Sequence, residues 1–112
     1  MGLDNINVVD AIGLEKNSEC AILSLFDSWG WDDEEPAHLL AIQDKFNAYL
    51  EFIESGQIFE DYPPARNKDL VIDVIFRFEP PDSAIRLLTY AASVALQLNF
   101  RVRHQTIPDA NS

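Results

Sequence analysis

The first group of residues that could do chemistry lies in one short segment, from Trp29 to His38. It holds two tryptophans, four consecutive acidic residues and one histidine: Trp29, Trp31, Asp32, Asp33, Glu34, Glu35 and His38. Carboxylates are the ligands of hard cations, and tryptophans anchor protein partners. The segment is therefore a candidate interaction surface. A peptide contact, a metal site and a purely structural role are the three alternatives.

The acidic run lacks the spacing of a known metal loop. The alternating acids, central glycine and distant glutamate of an EF-hand are absent, so we expect Asp32 to Glu35 to stay exposed and to bind no metal. In the structural alternative, the acids stabilise the positive end of the helix that follows, and the tryptophans pack over its start. His38 is then predicted to be an ordinary surface histidine.

A second group consists of charged residues within or beside runs of strand-forming residues, and it forms a candidate polar sheet face: Asp10, Asp73, Arg77, Arg101 and Arg103. A carboxylate in the middle of a strand is disfavoured, so a neighbouring group should compensate it. Cross-strand ion pairs on a solvated face are one explanation. A groove in which acidic and basic groups converge is the other.

Other chemistries find little support in the sequence. Four glycines among 112 residues are too few and too scattered for a phosphate-binding loop. The single cysteine, Cys20, excludes a disulfide framework and is most simply a small buried residue. His38 and His104 match no zinc-site spacing. The sequence therefore predicts no catalytic residue, no metal and no cofactor, which leaves enzymatic activity uncertain and disfavoured.

The charge of the chain is concentrated in its first half. The net charge is −11, and residues 1–56 hold twelve acidic and two basic residues, a net of −10. Such a field repels phosphate backbones and anionic lipids, so we expect neither nucleic acid nor membrane as a partner. The same field promotes solubility and speeds encounter with a basic protein.

Two amphipathic patterns predict the helices that position these groups. Leu39, Ile42, Phe46, Leu50 and Ile53 form one apolar stripe in a helix at 36–55, with Asp44, Lys45, Asn47, Glu51 and Glu54 mainly opposite. Gly56 ends this helix in the left-handed region. A second helix at 83–99 follows Asp82.

Five short runs are predicted to be strands, at 8–14, 20–26, 57–62, 69–78 and 100–105. The resulting order, ββαββαβ, predicts an α+β two-layer sandwich, with an antiparallel sheet and two helices on one face. The chain is expected to form a single domain over residues 1–112. Its ordered core spans about 6–106, with a frayed tail at 107–112.

A family resemblance is carried by four stretches of the chain: residues 7–13 (Asn-Val-Val-Asp-Ala-Ile-Gly), residues 31–35 with 38–40, residues 43–56 and residues 71–76. Together they resemble a small uncharacterised bacterial family, carried as a domain of unknown function, over about residues 8–102. Pro36 departs from the plainer helix start that we would expect in the family. The resemblance supplies no catalytic residues, and it implies a bacterial, cytoplasmic setting.

The leading hypothesis is a non-enzymatic interaction module, an adaptor or an immunity-type protein that binds a basic partner. The alternatives are a small-molecule-binding protein or weak enzyme, with a pocket between sheet and helices, and a purely structural subunit. The second helix is apolar on nearly all sides, which predicts a homodimer through that helix. Coverage of its flank by the first helix and the Trp29–Trp31 loop is the alternative.

Overall fold

The structure is a computed structural model that describes residues 9–15, 19–31 and 35–107. Four strands, three helices and one 3₁₀ turn follow each other in these ranges: β1 (Ala11–Leu14), β2 (Cys20–Asp27), α1 (Glu35–Glu54), α2 (Gln57–Asp61), the turn (Pro63–Ala65), β3 (Asp69–Phe76), α3 (Asp82–Gln97) and β4 (Arg101–Thr106). The fold class is mixed α and β, as predicted. Within the described ranges, none of the helices has the length and apolar character needed to cross a membrane.

The sheet is mixed, so the prediction of an antiparallel sheet is wrong. Its strand order is β1-β2-β3-β4, in which β1 pairs antiparallel to β2 while β2–β3 and β3–β4 pair parallel. Parallel neighbours need a crossover connection, which is usually helical. The chain between β2 and β3 carries α1 and α2, and the chain between β3 and β4 carries α3. The predicted β1–β2 hairpin is present.

The predicted strand at 57–62 is also wrong, because these residues form the short helix α2. Gly56, at φ 82°, ends α1 in the left-handed region as predicted, and the chain turns at once into α2. The Gln57 side-chain amide donates to Asp61 across one helical turn, at 2.9 Å. Ile58 is fully buried, so α2 serves to insert one apolar side chain beneath the end of α1.

The core lies between α1, α3 and one face of the sheet. On that face β2 contributes Ala21, Leu23 and Leu25, and their register partners on β3 are Leu70, Ile72 and Val74. Of the five residues in the predicted apolar stripe of α1, Ile42 and Phe46 are buried, and Leu39, Leu50 and Ile53 are half-buried. Val8, the first residue of the predicted strand at 8–14, lies outside the described residues. The same holds for the part of the predicted tail beyond residue 107.

Candidate functional site

Asp27 and His38 form a buried acid–base pair at the carboxyl end of β2. Asp27 Oδ2 lies 2.6 Å from His38 Nε2, and each residue is only 2% exposed. The second carboxylate oxygen of Asp27 accepts the backbone N–H of Trp29 at 3.0 Å. The second ring nitrogen of His38 lies 3.1 Å from the Gly30 carbonyl. Because a carbonyl only accepts, Nδ1 carries a proton.

Burial raises the pKa of the Asp27 carboxyl, although hydrogen bonds from His38 and Trp29 oppose the shift. With Asp27 protonated, its hydroxyl donates to Nε2 of a neutral imidazole. With Asp27 ionised, the same short contact requires a proton on Nε2. The pair therefore has a neutral form and an ionic form that use the same geometry.

The two tryptophans enclose this pair. Trp31 stacks on His38 with ring centroids 3.6 Å apart, and the Trp29 ring lies 5.4 Å from the same imidazole. Trp31 also contacts Phe76, at the end of β3. Its indole nitrogen is buried, with no hydrogen-bond acceptor in the described part of the chain. The aromatic rings thus separate the acid–base pair from solvent.

The predicted interaction surface is therefore only partly a surface. His38 was predicted to be exposed, and this is wrong because its ring satisfies the buried carboxyl of Asp27. Glu35 accepts a hydrogen bond from the Ser83 hydroxyl at 3.1 Å, which joins the starts of α1 and α3. Asp32, Asp33 and Glu34 lie outside the described residues, so their exposure and lack of metal binding stay predictions.

A second buried pair joins Asp10 to Lys45. Lys45 Nζ lies 2.7 Å from Asp10 Oδ1, with both side chains almost fully buried. Asp10 Oδ2 accepts the backbone N–H of Phe26 at 2.8 Å, just beyond the point where β1 stops pairing with β2. The Tyr49 hydroxyl accepts the Asp10 backbone N–H and donates to the Ser24 carbonyl at 2.6 Å. Burial raises the pKa of Tyr49, which keeps this hydroxyl a donor.

Both members of this pair were misplaced from the sequence. Asp10 was predicted to lie on the polar sheet face, but it precedes β1 and its side chain completes the hydrogen bonding of β2. Lys45 was assigned to the solvated side of α1, but it points into the protein toward the carboxylate of Asp10. A buried charge is retained only with such pairing, so the two residues must be explained together.

The polar sheet face exists in reduced form, on the side opposite the core. Asp73 and Arg103 are register partners, with Arg103 Nε 3.5 Å from Asp73 Oδ2. The Gln105 amide donates to the same oxygen at 2.7 Å. The other oxygen, Oδ1, is buried and accepts no hydrogen bond in the described residues. Arg103 also lies 3.4 Å from Glu15, so the face combines cross-strand pairs, but Asp73 is only 3% exposed and does not lie on a solvated face.

Two further members of the predicted face lie apart from Asp73. Arg101 faces the same side, and its guanidinium donates to the sulfur of buried Cys20 at 3.4 Å. Arg77 follows the end of β3, where its backbone N–H bonds the Asp27 carbonyl and its guanidinium lies over the Phe78 ring. The structure therefore brings together Asp73 and Arg103, and it separates them from Asp10 and Arg77.

A cavity with acidic residues at its rim, here called the acidic cavity, lies beside α1 and α2. Its volume is about 610 Å³, and its aromatic lining consists of Tyr49, Phe52 and Tyr62. Glu51 and Asp61 contribute carboxylates to the same lining. No sequence pattern indicates this cavity, because its residues come from several elements. Trp29 and Trp31 do not line it.

The fold and these clusters define a small mixed α and β module with two buried acid–base pairs, two turns apart on one face of α1. The model of a family of unknown function, DUF6572, matches residues 1–108, and the chain belongs to this family. The family resemblance seen in the sequence is thereby confirmed. Comparison with curated proteins and with solved structures gave no significant match.

Proposed function

We propose that the protein is a non-enzymatic interaction module, an adaptor or an immunity-type protein, that binds a basic partner through α1 and α2. The observation that carries the proposal is the acidic cavity, in which aromatic rings and carboxylates share one concave surface. An arginine or lysine side chain of the partner fits that chemistry, because carboxylates pair with its charge and aromatic faces attract cations.

The charge distribution of these helices supports the proposal. Residues 35–61 contain six acidic residues and one basic residue, Lys45. Lys45 is buried against Asp10, so it presents no positive charge at the surface. Asp44, Glu51, Glu54, Glu60 and Asp61 are all exposed. A basic partner is therefore steered toward this side of the molecule, and more strongly at low ionic strength.

The burial of Asp27 and His38 argues against an enzyme built on that pair. A general acid or base must come within hydrogen-bond reach of its substrate. Here Trp31 stacks on the imidazole, and the residues of the pair already satisfy each other. The pair serves as a structural tie between the β2 end and α1.

A titration with a tetra-arginine peptide tests the proposal. We expect the amide signals of Glu51, Phe52, Asp61 and Tyr62 to shift in NMR spectra, with weaker binding as salt rises from 50 to 300 mM. The double variant Glu51→Gln/Asp61→Asn should weaken binding at least tenfold, since it removes both cavity carboxylates.

Asp44→Asn is the matched control for this experiment. Asp44 is an exposed acid on the same helix, but it does not line the cavity. It should reduce affinity less than threefold. Equal weakening by both variants would show that only diffuse charge acts, and no binding at 50 mM salt would overturn the proposal.

A small-molecule-binding function is the second candidate, because the same cavity suits a small organic cation. Arginine amide, a single residue without a peptide chain, separates the two. Micromolar binding of arginine amide would favour a small-molecule site, whereas binding of the peptide alone favours a protein partner. We further propose a bacterial, cytoplasmic location, with which a free, buried Cys20 is compatible.

A further inference from the structure

A second concave surface, here called the apolar groove, lies on the opposite flank of α1 from the acidic cavity. It separates α1 from α3 and has a volume of about 340 Å³. Both helices contribute apolar side chains to it: Ile42, Phe46 and Leu50 on α1, and Leu87, Leu88, Ala91 and Val94 on α3. It therefore differs from the acidic cavity in both position and chemistry.

The groove and a projecting side chain belong to the same patch. Tyr90 lines the groove, yet its side chain is 70% exposed, so it projects from α3 beside the concave surface. An exposed tyrosine with a hydroxyl at its tip is typical of an interface residue. A projection and a concave surface on one patch are self-complementary under a two-fold rotation, because each copy then inserts Tyr90 into the groove of the other.

The charge of the patch favours a second copy over a charged partner. None of the residues that line the groove is acidic or basic, and its polar members are the neutral side chains Gln43, Asn47 and Tyr90. Two copies that each carry a net charge of −11 repel one another, so they associate best through an uncharged surface. A basic partner would find no carboxylate in the groove.

We propose that the apolar groove is the interface of a symmetric homodimer, in which Tyr90 of each copy occupies the groove of the other. The acidic cavity, on the other flank of α1, stays accessible in this arrangement. The dimer and the basic-partner site are therefore independent, and either can fail without the other.

Sedimentation equilibrium of the full chain at 5 to 200 µM tests the dimer. We expect the apparent mass to double from 12.7 kDa within this range. Tyr90→Asp should raise the dissociation constant at least 30-fold, since it places a carboxylate in the groove. Because Tyr90 is exposed, the melting temperature measured at 2 µM should stay within two degrees of the wild-type value.

Leu96→Asp provides the matched control. Leu96 is 68% exposed on the same helix but does not line the groove, and the substitution introduces the same charge. It should leave the dissociation constant within threefold. A wild-type chain that remains at 12.7 kDa at 200 µM, or a Leu96→Asp variant that dissociates as readily as Tyr90→Asp, would overturn the proposal. Tetra-arginine binding by Tyr90→Asp is expected to be unchanged.

Discussion

The two buried acid–base pairs of this protein share one helix face but differ in chemistry. His38 and Lys45 lie seven residues apart on α1, which is two helical turns, so both point toward the sheet. Each meets an aspartate from the β1–β2 region, Asp27 in one case and Asp10 in the other. The Asp27–His38 pair can become neutral by moving one proton, whereas Asp10 and Lys45 form a salt bridge in which the ammonium group can only donate.

This difference predicts how each pair responds to change. The Asp10 side chain accepts hydrogen bonds from Lys45 and from the N–H of Phe26, so removal of the lysine takes the cation away from a buried acidic group. Asp27 can take up a proton if its partner is lost. One face of α1 thus carries an obligatory ion pair at Lys45 and a titratable pair at His38.

The largest expected effect is that of Lys45→Met, which should lower the free energy of unfolding by about 3–5 kcal/mol. Methionine fills a similar volume but leaves the Asp10 carboxylate buried without its cation. Urea unfolding at pH 7 measures the loss. Adding Asp10→Asn should restore part of it, because a neutral amide has no buried charge. A loss below 1 kcal/mol would mean that the pair is not held in the interior.

His38→Phe should lower the free energy of unfolding by about 2 kcal/mol, less than Lys45→Met. The phenyl ring keeps the stack on Trp31 but leaves Asp27 and the Gly30 carbonyl without their partner. The smaller loss is expected because Asp27 can be protonated. Urea unfolding of both variants in one buffer makes the comparison. If His38→Phe proves the more harmful, the distinction between the two pairs is wrong.

The titratable pair should also produce a dependence of stability on pH. Burial raises the pKa of Asp27 above its ordinary value of 3.8, so the folded state binds this proton more tightly than the unfolded state. The contribution of Asp27 to the free energy of unfolding is fully present below pH 3.8 and decreases as pH rises through the folded-state pKa. The stability of the wild type relative to Asp27→Asn should therefore fall as pH rises above 3.8. A difference that is flat or increases with pH contradicts the assignment.

The smallest effect is expected for Asp73→Asn, within about 0.5 kcal/mol of the wild type. Arg103, its cationic neighbour, is half exposed, and one oxygen of Asp73 accepts no hydrogen bond in the described residues. Asp73 itself is buried, but solvent reaches the Arg103 guanidinium and screens the attraction, and an amide can still accept from Gln105. Thermal unfolding at pH 7 is sensitive enough to detect a difference of this size between the variant and the wild type. A loss above 2 kcal/mol would place Asp73 with the two buried pairs.

The sequence predicts those elements whose cause is local. The apolar stripe of α1 and the alternating run of β3 locate both elements to within two residues, since periodicity is a property of neighbouring positions. The second helix ends at Gln97 rather than 99, where Asn99 takes a positive φ of 66°. The error at α2 has a local cause too, because Ile58 and Phe59 are strand-forming residues in a helix of only five residues.

Features that depend on contacts between residues distant in the chain were not predicted from the sequence. Asp10 and Lys45 are 35 residues apart, and neither residue type indicates that the other will be buried beside it. Parallel pairing did leave one signal, because β3 is buried on both faces and its sequence is almost continuously apolar. That signal, with the helices between successive strands, favoured a parallel sheet over the antiparallel one. The acidic cavity left no such signal in the sequence.

The end strands of the sheet have consequences for solubility. In the described part of the chain, β1 and β4 each pair with one neighbour only, so each leaves backbone groups available to a strand from another molecule. β1 is just four residues long, and β4 carries Arg101, Arg103 and His104 within six residues. Short length and positive charge both oppose stacking of strands between copies. The arginines that were candidates for a binding groove thus also protect the protein against amyloid-like aggregation.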